Sequence, residues 1–163
     1  MKVIFLDVDG VLNSENFAVF VATNELGQDF LKEGGSNFVD PYATYLIADL
    51  CEAHDLKIVI SSSWRMYDLP TTVQAFERYR DLKPLIPYMV GVTPRNSDDR
   101  IWEDRGEEIQ HYLDEHPDIE NYCIIDDDND MLESQLDHFV RVDSEFGLEE
   151  VHIEKVKTIL NLK

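Results

Sequence analysis

Two aspartates one residue apart, Asp7 and Asp9, follow the apolar run Val3-Ile4-Phe5-Leu6. A short, continuous apolar run of this kind reads as a buried central strand. Residues i and i+2 of a strand share a side, so both carboxylates are expected to face the same way. Like charges that close need a cation or a proton between them. Gly10 then lets the chain turn sharply away. A carboxylate so placed can attack phosphorus and divide one hard displacement into two easier ones. A second carboxyl two residues on can carry the proton for the leaving group and the attacking water, its proton affinity raised by its charged neighbour.

A phosphate approaches this many acids only with compensation. Mg²⁺ suits the donor set, because it takes hard oxygen ligands and bridges protein to phosphate. Zinc does not, since His54, His111, His116, His138 and His152 are scattered without ligand spacing. The remaining phosphoryl oxygens need a hydroxyl and a cation, roles open to Ser61 and an arginine.

These groups need a scaffold, and the apolar runs supply one. Strands are expected at residues 3–6, 56–60, 89–92, 121–125 and 139–142, separated by helical segments. Asp40-Pro41 opens one helix, with Asp as N-cap and Pro at the first helical position; Tyr42, Tyr45, Leu46, Leu50 and Ala53 form its expected inner face. Further helices are expected from Pro70 to about residue 79, and from the Asn96-Ser97-Asp98-Asp99 cap to about 115, with Ile109, Tyr112 and Leu113 inward. A short helix at 131–136 and a last helix at 148–160, facing inward through Leu148, Val151, Lys155 and Ile159, complete the set; 83–87 reads as loop. Residues 13–39 show no clear period and read as a small cap or flap inserted after the first strand, with Phe17–Val21 as its core. The fold expected is a single three-layer α/β domain over 1–163: a mostly parallel, Rossmann-like sheet with helices on both faces. In such sheets ligands sit beyond the C-terminal strand ends. Three of those ends carry hydroxyl or acidic clusters: Asp7/Asp9, Ser61-Ser62-Ser63 and Asp126-Asp127-Asp128.

The charge balance, 34 acids against 14 bases for a net −20, repels polyanion backbones and anionic membranes. It still admits a small phosphorylated substrate drawn in by local cations and a metal. No apolar run reaches the ~20 residues of a membrane helix, and no signal-peptide layout is present. Two distant cysteines, Cys51 and Cys123, argue against a disulfide scaffold. Together these features point to a cytoplasmic protein with no membrane partner.

The pattern Asp7-x-Asp9-Gly10-Val11-Leu12, a hydrophobic strand ending in Ser61, a basic residue, and a hydrophobic strand ending in Asp126-Asp127 resembles the four motifs of the haloacid dehalogenase-like (HAD) superfamily. More narrowly, Ile58-Val59-Ile60-Ser61-Ser62-Ser63-Trp64-Arg65, Gly91-Val92-Thr93-Pro94, and Arg105 ahead of Glu108-Ile109 resemble the HAD phosphatase modules of Swiss Army Knife RNA repair proteins. They are also similar to the phosphatase half of polynucleotide kinase-phosphatases. The resemblance implies Asp7 as nucleophile and metal ligand. It implies Asp9 as general acid/base and as a ligand through its backbone carbonyl, and Ser61 as phosphate binder, with Ser62 and Ser63 as rivals. Asp126 and Asp127 would hold Mg²⁺. The family's usual lysine is missing, since none lies between Lys83 and Lys155; Arg105 is the substitute, ahead of Arg100 and Arg95, and arginine can neutralise phosphate bidentately.

The leading expectation is a Mg²⁺-dependent phosphomonoesterase acting on a small substrate such as a nucleotide. A nucleic-acid 3′-phosphate end is the runner-up. A phospho-accepting receiver module would not need Asp9, and the complete acid set opposes an acidic interaction protein on a dead phosphatase fold. Trp64 reads as core packing rather than a base-stacking platform.

Overall fold

A computed structural model describes residues 1–36, 38–96, 101–102 and 104–163. Five strands, β1 (Lys2–Leu6), β2 (Lys57–Ile60), β3 (Met89–Val92), β4 (Asn121–Asp126) and β5 (Phe139–Arg141), form one sheet. The order is β3-β2-β1-β4-β5 and every pairing is parallel. The chain winds outward from β1 through β2 to β3, then returns to build β4 and β5 on the other side. Strand order therefore reverses at β1/β4, where a crevice opens at the C-terminal ends.

Register divides the strand side chains between two faces. Ile4 aligns with Ile58 and Cys123, and Leu6 with Ile60 and Ile125. This face packs with Ile47, Cys51, Leu82, Leu85 and Val156, contributed by α3 (Pro41–His54), the 3₁₀ segment Arg80–Tyr88 and α6 (Glu150–Ile159). On the opposite face Val3, Phe5, Val59 and Ile124 meet Ile109 and Tyr112 of α5 (Arg105–Glu115). The three expected layers are present.

Helix α3 begins where its cap predicts, with the Asp40 side chain accepting from the Tyr42 N–H at 2.9 Å. Its inner face is rotated from the expected one. Ala43, Ile47, Leu50 and Cys51 are buried, whereas Tyr42, Tyr45 and Ala53 are exposed. The Tyr42 hydroxyl instead donates to Glu150 at 2.8 Å. Helix α6 shows the same error: His152, Ile153 and Val156 face inward and Val151 outward. Helix α4 (Leu69–Phe76) starts one residue before Pro70 on an Asp68 cap. The expected loop 83–87 lies within the 3₁₀ segment Arg80–Tyr88, which buries Leu82 and Leu85; the expected helix at 131–136 is the 3₁₀ segment Glu133–His138. Helix α5 begins at Arg105, and the proposed cap at Ser97-Asp98-Asp99 lies outside the described residues.

The first part of the 13–39 stretch, through Lys32, is helical rather than irregular. It forms α1 (Glu15–Thr23) and α2 (Glu25–Lys32), capped by Ser14 and Asn24. Of the run at 17–21 only Val21 is buried; Phe17 meets Phe30 edge-on, and Val19 and Phe20 are exposed. The segment leaves and returns at one place, since the Asp40 N–H donates to the Leu12 carbonyl at 2.6 Å. Glu15 and Asn16 donate to the carbonyls of Ser144 and Glu145. Farther on, Arg80 donates to the Glu33 carbonyl and Asp81 accepts from the Ser36 N–H.

Phe5 is the largest fully buried side chain under α5 and meets Tyr112 and Tyr122 edge-on, with centroids 5.7 and 5.9 Å away. Phe5→Ala is expected to destabilise the fold by about 3–5 kcal/mol. Denaturant unfolding should show a lowered midpoint with an unchanged slope.

Candidate functional site

The parallel ladder continues one residue past the strands. Thr93 N–H donates to the Ile60 carbonyl, Ser61 N–H to Leu6, Asp7 N–H to Ile125 and Val142 N–H to Asp126, all at 2.9–3.0 Å. Thr93, Ser61, Asp7 and Asp126 thus form one row across the sheet edge. Alternation gives them the same side as Val59, Phe5 and Ile124, the side covered by α5. All four are buried.

The first turn of α5 comes down on this row because of a close backbone approach. A Cβ on Gly106 would run into the Leu132 N–H and the Gln135 side chain. Gln135 donates to the Gly106 carbonyl at 2.8 Å, while Asp130 accepts from the Arg105 N–H at 2.9 Å. The Arg105 guanidinium then lies 3.6 Å from Asp126 Oδ2 and 3.5 Å from Glu108 Oε2. Glu108 Oε1 pairs at 2.6 Å with Arg65, a buried arginine. Arg65 also donates to the carbonyls of Ser62, Thr93 and Pro94. One arginine therefore fixes the exits of β2 and β3 and orients the acid that holds Arg105. Burial still keeps the Glu108 carboxyl above its ordinary range, against the pull of Arg65 and Arg105.

Asp7, Asp126 and Asp127 offer carboxylate oxygens within 4.8 Å of one another. Asp7 Oδ1 and Asp126 Oδ2 are buried without a hydrogen-bond partner. Burial drives the Asp7 carboxyl up to about 6, opposed by the Ser62 hydroxyl and the Arg105 charge. Burial, then the neighbouring Asp7 charge, drives Asp126 up to about 8. Burial and the nearby Asp128 charge raise Asp127. Converging hard oxygens, two of them orphaned, fit a small divalent cation. Gly10, at φ 68°, keeps this corner open, since a Cβ there would strike the Asp127 carboxylate.

Asp9 stands apart from that cluster. It is exposed beyond the strand end, with Oδ1 accepting from Asn13 Nδ2 at 2.9 Å and Trp64 Nε1 at 2.8 Å. Its Oδ2 accepts from Ser63 Oγ at 2.8 Å. The three serines are thereby separated. Ser61 Oγ accepts from Thr93 Oγ1 at 3.4 Å, Ser62 lies beside Asp7, and Ser63 serves Asp9. Arg95 donates to the Arg65 carbonyl, and Arg100 lies outside the described residues. Sequence reasoning missed Arg65, Glu108, Gly106 and Gln135 as organisers of the site. The Trp64 ring packs against Tyr79 as expected of a core residue, but its N–H serves Asp9.

Raised carboxyl values mean that the folded state binds protons more tightly than the unfolded chain. In EDTA, stability is therefore expected to fall as pH rises from about 4 through about 8. Asp126→Asn should raise the metal-free thermal midpoint at pH 8 by a few degrees, of the order set by about 1 kcal/mol. A midpoint for Asp126→Asn at or below wild type would contradict this.

Among the described residues no helix is long and apolar enough to cross a membrane. No curated protein and no solved structure matches the chain. The family described as the HAD domain in Swiss Army Knife RNA repair proteins matches residues 3–153. That span takes in β2 to β5, all of β1 but Lys2, α5 and every residue of the site, and the chain belongs to this family of HAD-like hydrolases.

Proposed function

We propose that this chain is a phosphomonoesterase working through an aspartyl-phosphate on Asp7. One observation carries the reading: Asp7 Oδ1 is a buried, unpartnered carboxylate oxygen at the strand-order reversal. Acids flank it on the β4 side, and a hydroxyl and a cation complete its surroundings. Mg²⁺ is the cation of choice: Asp7, Asp126 and Asp127 with the Asp9 main-chain carbonyl would hold it, and when bound it would offset the charge gathered between phosphate and carboxylates.

The chain's own groups supply the rest. Asp7 attacks phosphorus while Ser61 and Arg105 hold the non-reacting phosphoryl oxygens. Asp9 gives a proton to the departing alcohol and later takes one from the water that frees Asp7. The Arg105 side chain, steered by Glu108 and Asp126, would take the part of the family's usual lysine. Cytoplasmic residence suits the buried free thiols Cys51 and Cys123.

For the substrate, a small phosphomonoester such as a nucleotide is favoured. The −20 charge opposes a polynucleotide track. The family description names RNA repair proteins, which favours a second reading with a nucleic-acid substrate; a 3′-phosphate end is the form that the sequence resemblance implies.

Wild-type protein with Mg²⁺ should hydrolyse p-nitrophenyl phosphate. EDTA should abolish this, and Asp7→Asn should lower kcat at least ~10³-fold. Turnover no faster than that of Asp7→Asn rejects the enzyme, and stable labelling by acetyl phosphate without turnover would indicate a receiver. In a panel of nucleoside monophosphates and 3′-phosphorylated oligonucleotides, the monophosphates should have the higher kcat/KM. Activity confined to the oligonucleotides would establish the end-healing reading in its place.

A further inference from the structure

We propose that Asn13, Ser63 and Trp64 form a positioning cradle that fixes the Asp9 carboxylate for proton delivery to the leaving group. This rests on the phosphatase reading above and names the residues that make its acid effective. An exposed carboxylate ordinarily swings through several rotamers. Here both oxygens are held, by donors from a turn four residues away and from a loop more than fifty residues away.

Each arm of the cradle is itself anchored. Asn13 Oδ1 accepts the Gly10 N–H at 2.7 Å, which turns the Asn13 amide nitrogen toward Asp9. The Trp64 ring lies 5.3 Å from Tyr79, centroid to centroid, and packs on the main core. The backbone N–H of Trp64 also donates to Ser62 Oγ at 3.3 Å, tying the cradle to the loop that carries Ser61.

The donor types distinguish the two oxygens. Indole and amide N–H groups only donate, whereas a hydroxyl donates or accepts. Asp9 Oδ1, facing Trp64 and Asn13, therefore remains an acceptor. The transferable proton belongs on Oδ2, where the Ser63 hydroxyl can reverse and accept it. In the first step an Asp7 oxygen bonds to phosphorus as the bond to the leaving oxygen breaks. The electron pair stays on that oxygen, which takes the proton from Asp9 Oδ2. In the second step water bonds to phosphorus, the Asp7–phosphorus bond breaks, and the water proton returns to Asp9. Alcohol and inorganic phosphate are released and the enzyme is restored.

Proton delivery matters more as the leaving group becomes more basic, so the test is a leaving-group series. Trp64→Phe keeps the ring and removes the N–H; Ser63→Ala alters an exposed hydroxyl with no burden on the core. Their kcat/KM values would be compared with wild type on substituted phenyl phosphates, from p-nitrophenyl to phenyl, with thermal midpoints as a control for folding. Both variants should lose about tenfold or more on phenyl phosphate but about twofold or less on p-nitrophenyl phosphate, a fraction of the whole contribution of a general acid. Equal losses across the series, or none on phenyl phosphate, would overturn the cradle. Wild-type activity that does not exceed Asp7→Asn would instead reject the underlying phosphatase reading. If Trp64→Phe fails to fold, the Ser63→Ala series decides by itself.

Discussion

Three carboxylates forced together at a buried sheet edge are the constraint to which the rest of this protein answers. Asp7 and Asp126 sit side by side because their strands are hydrogen-bonded neighbours in register. Asp127 joins them because the chain turns there against Gly10. Burial removes the water that would screen them, and their mutual repulsion raises the cost of ionising each. Such an edge is destabilising alone. It persists because the surrounding fold is strong: both central strands are sealed between two apolar layers. The strain is thus concentrated at the point where a cation would relieve it.

The countercharge is placed by backbone geometry more than by direct pairing. Arg105 lies 3.5 Å from Glu108 and 3.6 Å from Asp126, close enough to stabilise them and loose enough to engage a ligand. It reaches that position because α5 lands on the segment after β4 through Gly106, Gln135 and Asp130. Arg65 and Glu108 then form the tight pair. A buried ion pair of this kind is a weak source of stability but a strong source of geometry. By holding three carbonyls from two loops, Arg65 sets the distance between the serine loop, the Thr93 exit and the helix bearing Arg105.

The strands and the acidic exits were legible because a central parallel strand is apolar on both faces and announces itself as an unbroken run. The Asp40-Pro41 helix start was legible because capping chemistry is local. The inner faces of α3 and α6 were not. Tyr42 and Val151 looked like core and are exposed, while Ala43 and His152 are buried; helical spacing gives a period but leaves its phase to tertiary packing. Helices α1 and α2 were hidden for another reason: each is under ten residues long and they bury only Val21 and Gly27 between them, so neither carries a long apolar stripe. Their Ser14 and Asn24 caps were the readable signal. Arg65 and Glu108 lie 43 residues apart, and nothing local pairs them. Gly106 likewise gains meaning only from the segment it touches.

The two halves of the site are built to different tolerances. The row Thr93–Ser61–Asp7–Asp126 is an extension of the sheet ladder, and its geometry is as rigid as the strands beneath it. Asp9 is held outside that ladder, by side chains from the turn at Asn13 and the loop at Ser63 and Trp64. Asn13 is also the first residue of the segment that carries α1 and α2. That segment is pinned near β5 through Ser144 and Glu145 and near the 3₁₀ stretch before β3 through Arg80 and Asp81. Asn13, one of the three residues that hold Asp9, therefore opens a segment tied to the flanks of both edge strands. In the mechanism proposed above, the nucleophile Asp7 would be fixed to the sheet ladder and the acid Asp9 would be fixed through Asn13 to the root of the segment that carries α1 and α2, so the two halves of the reaction would draw their geometry from different parts of the fold.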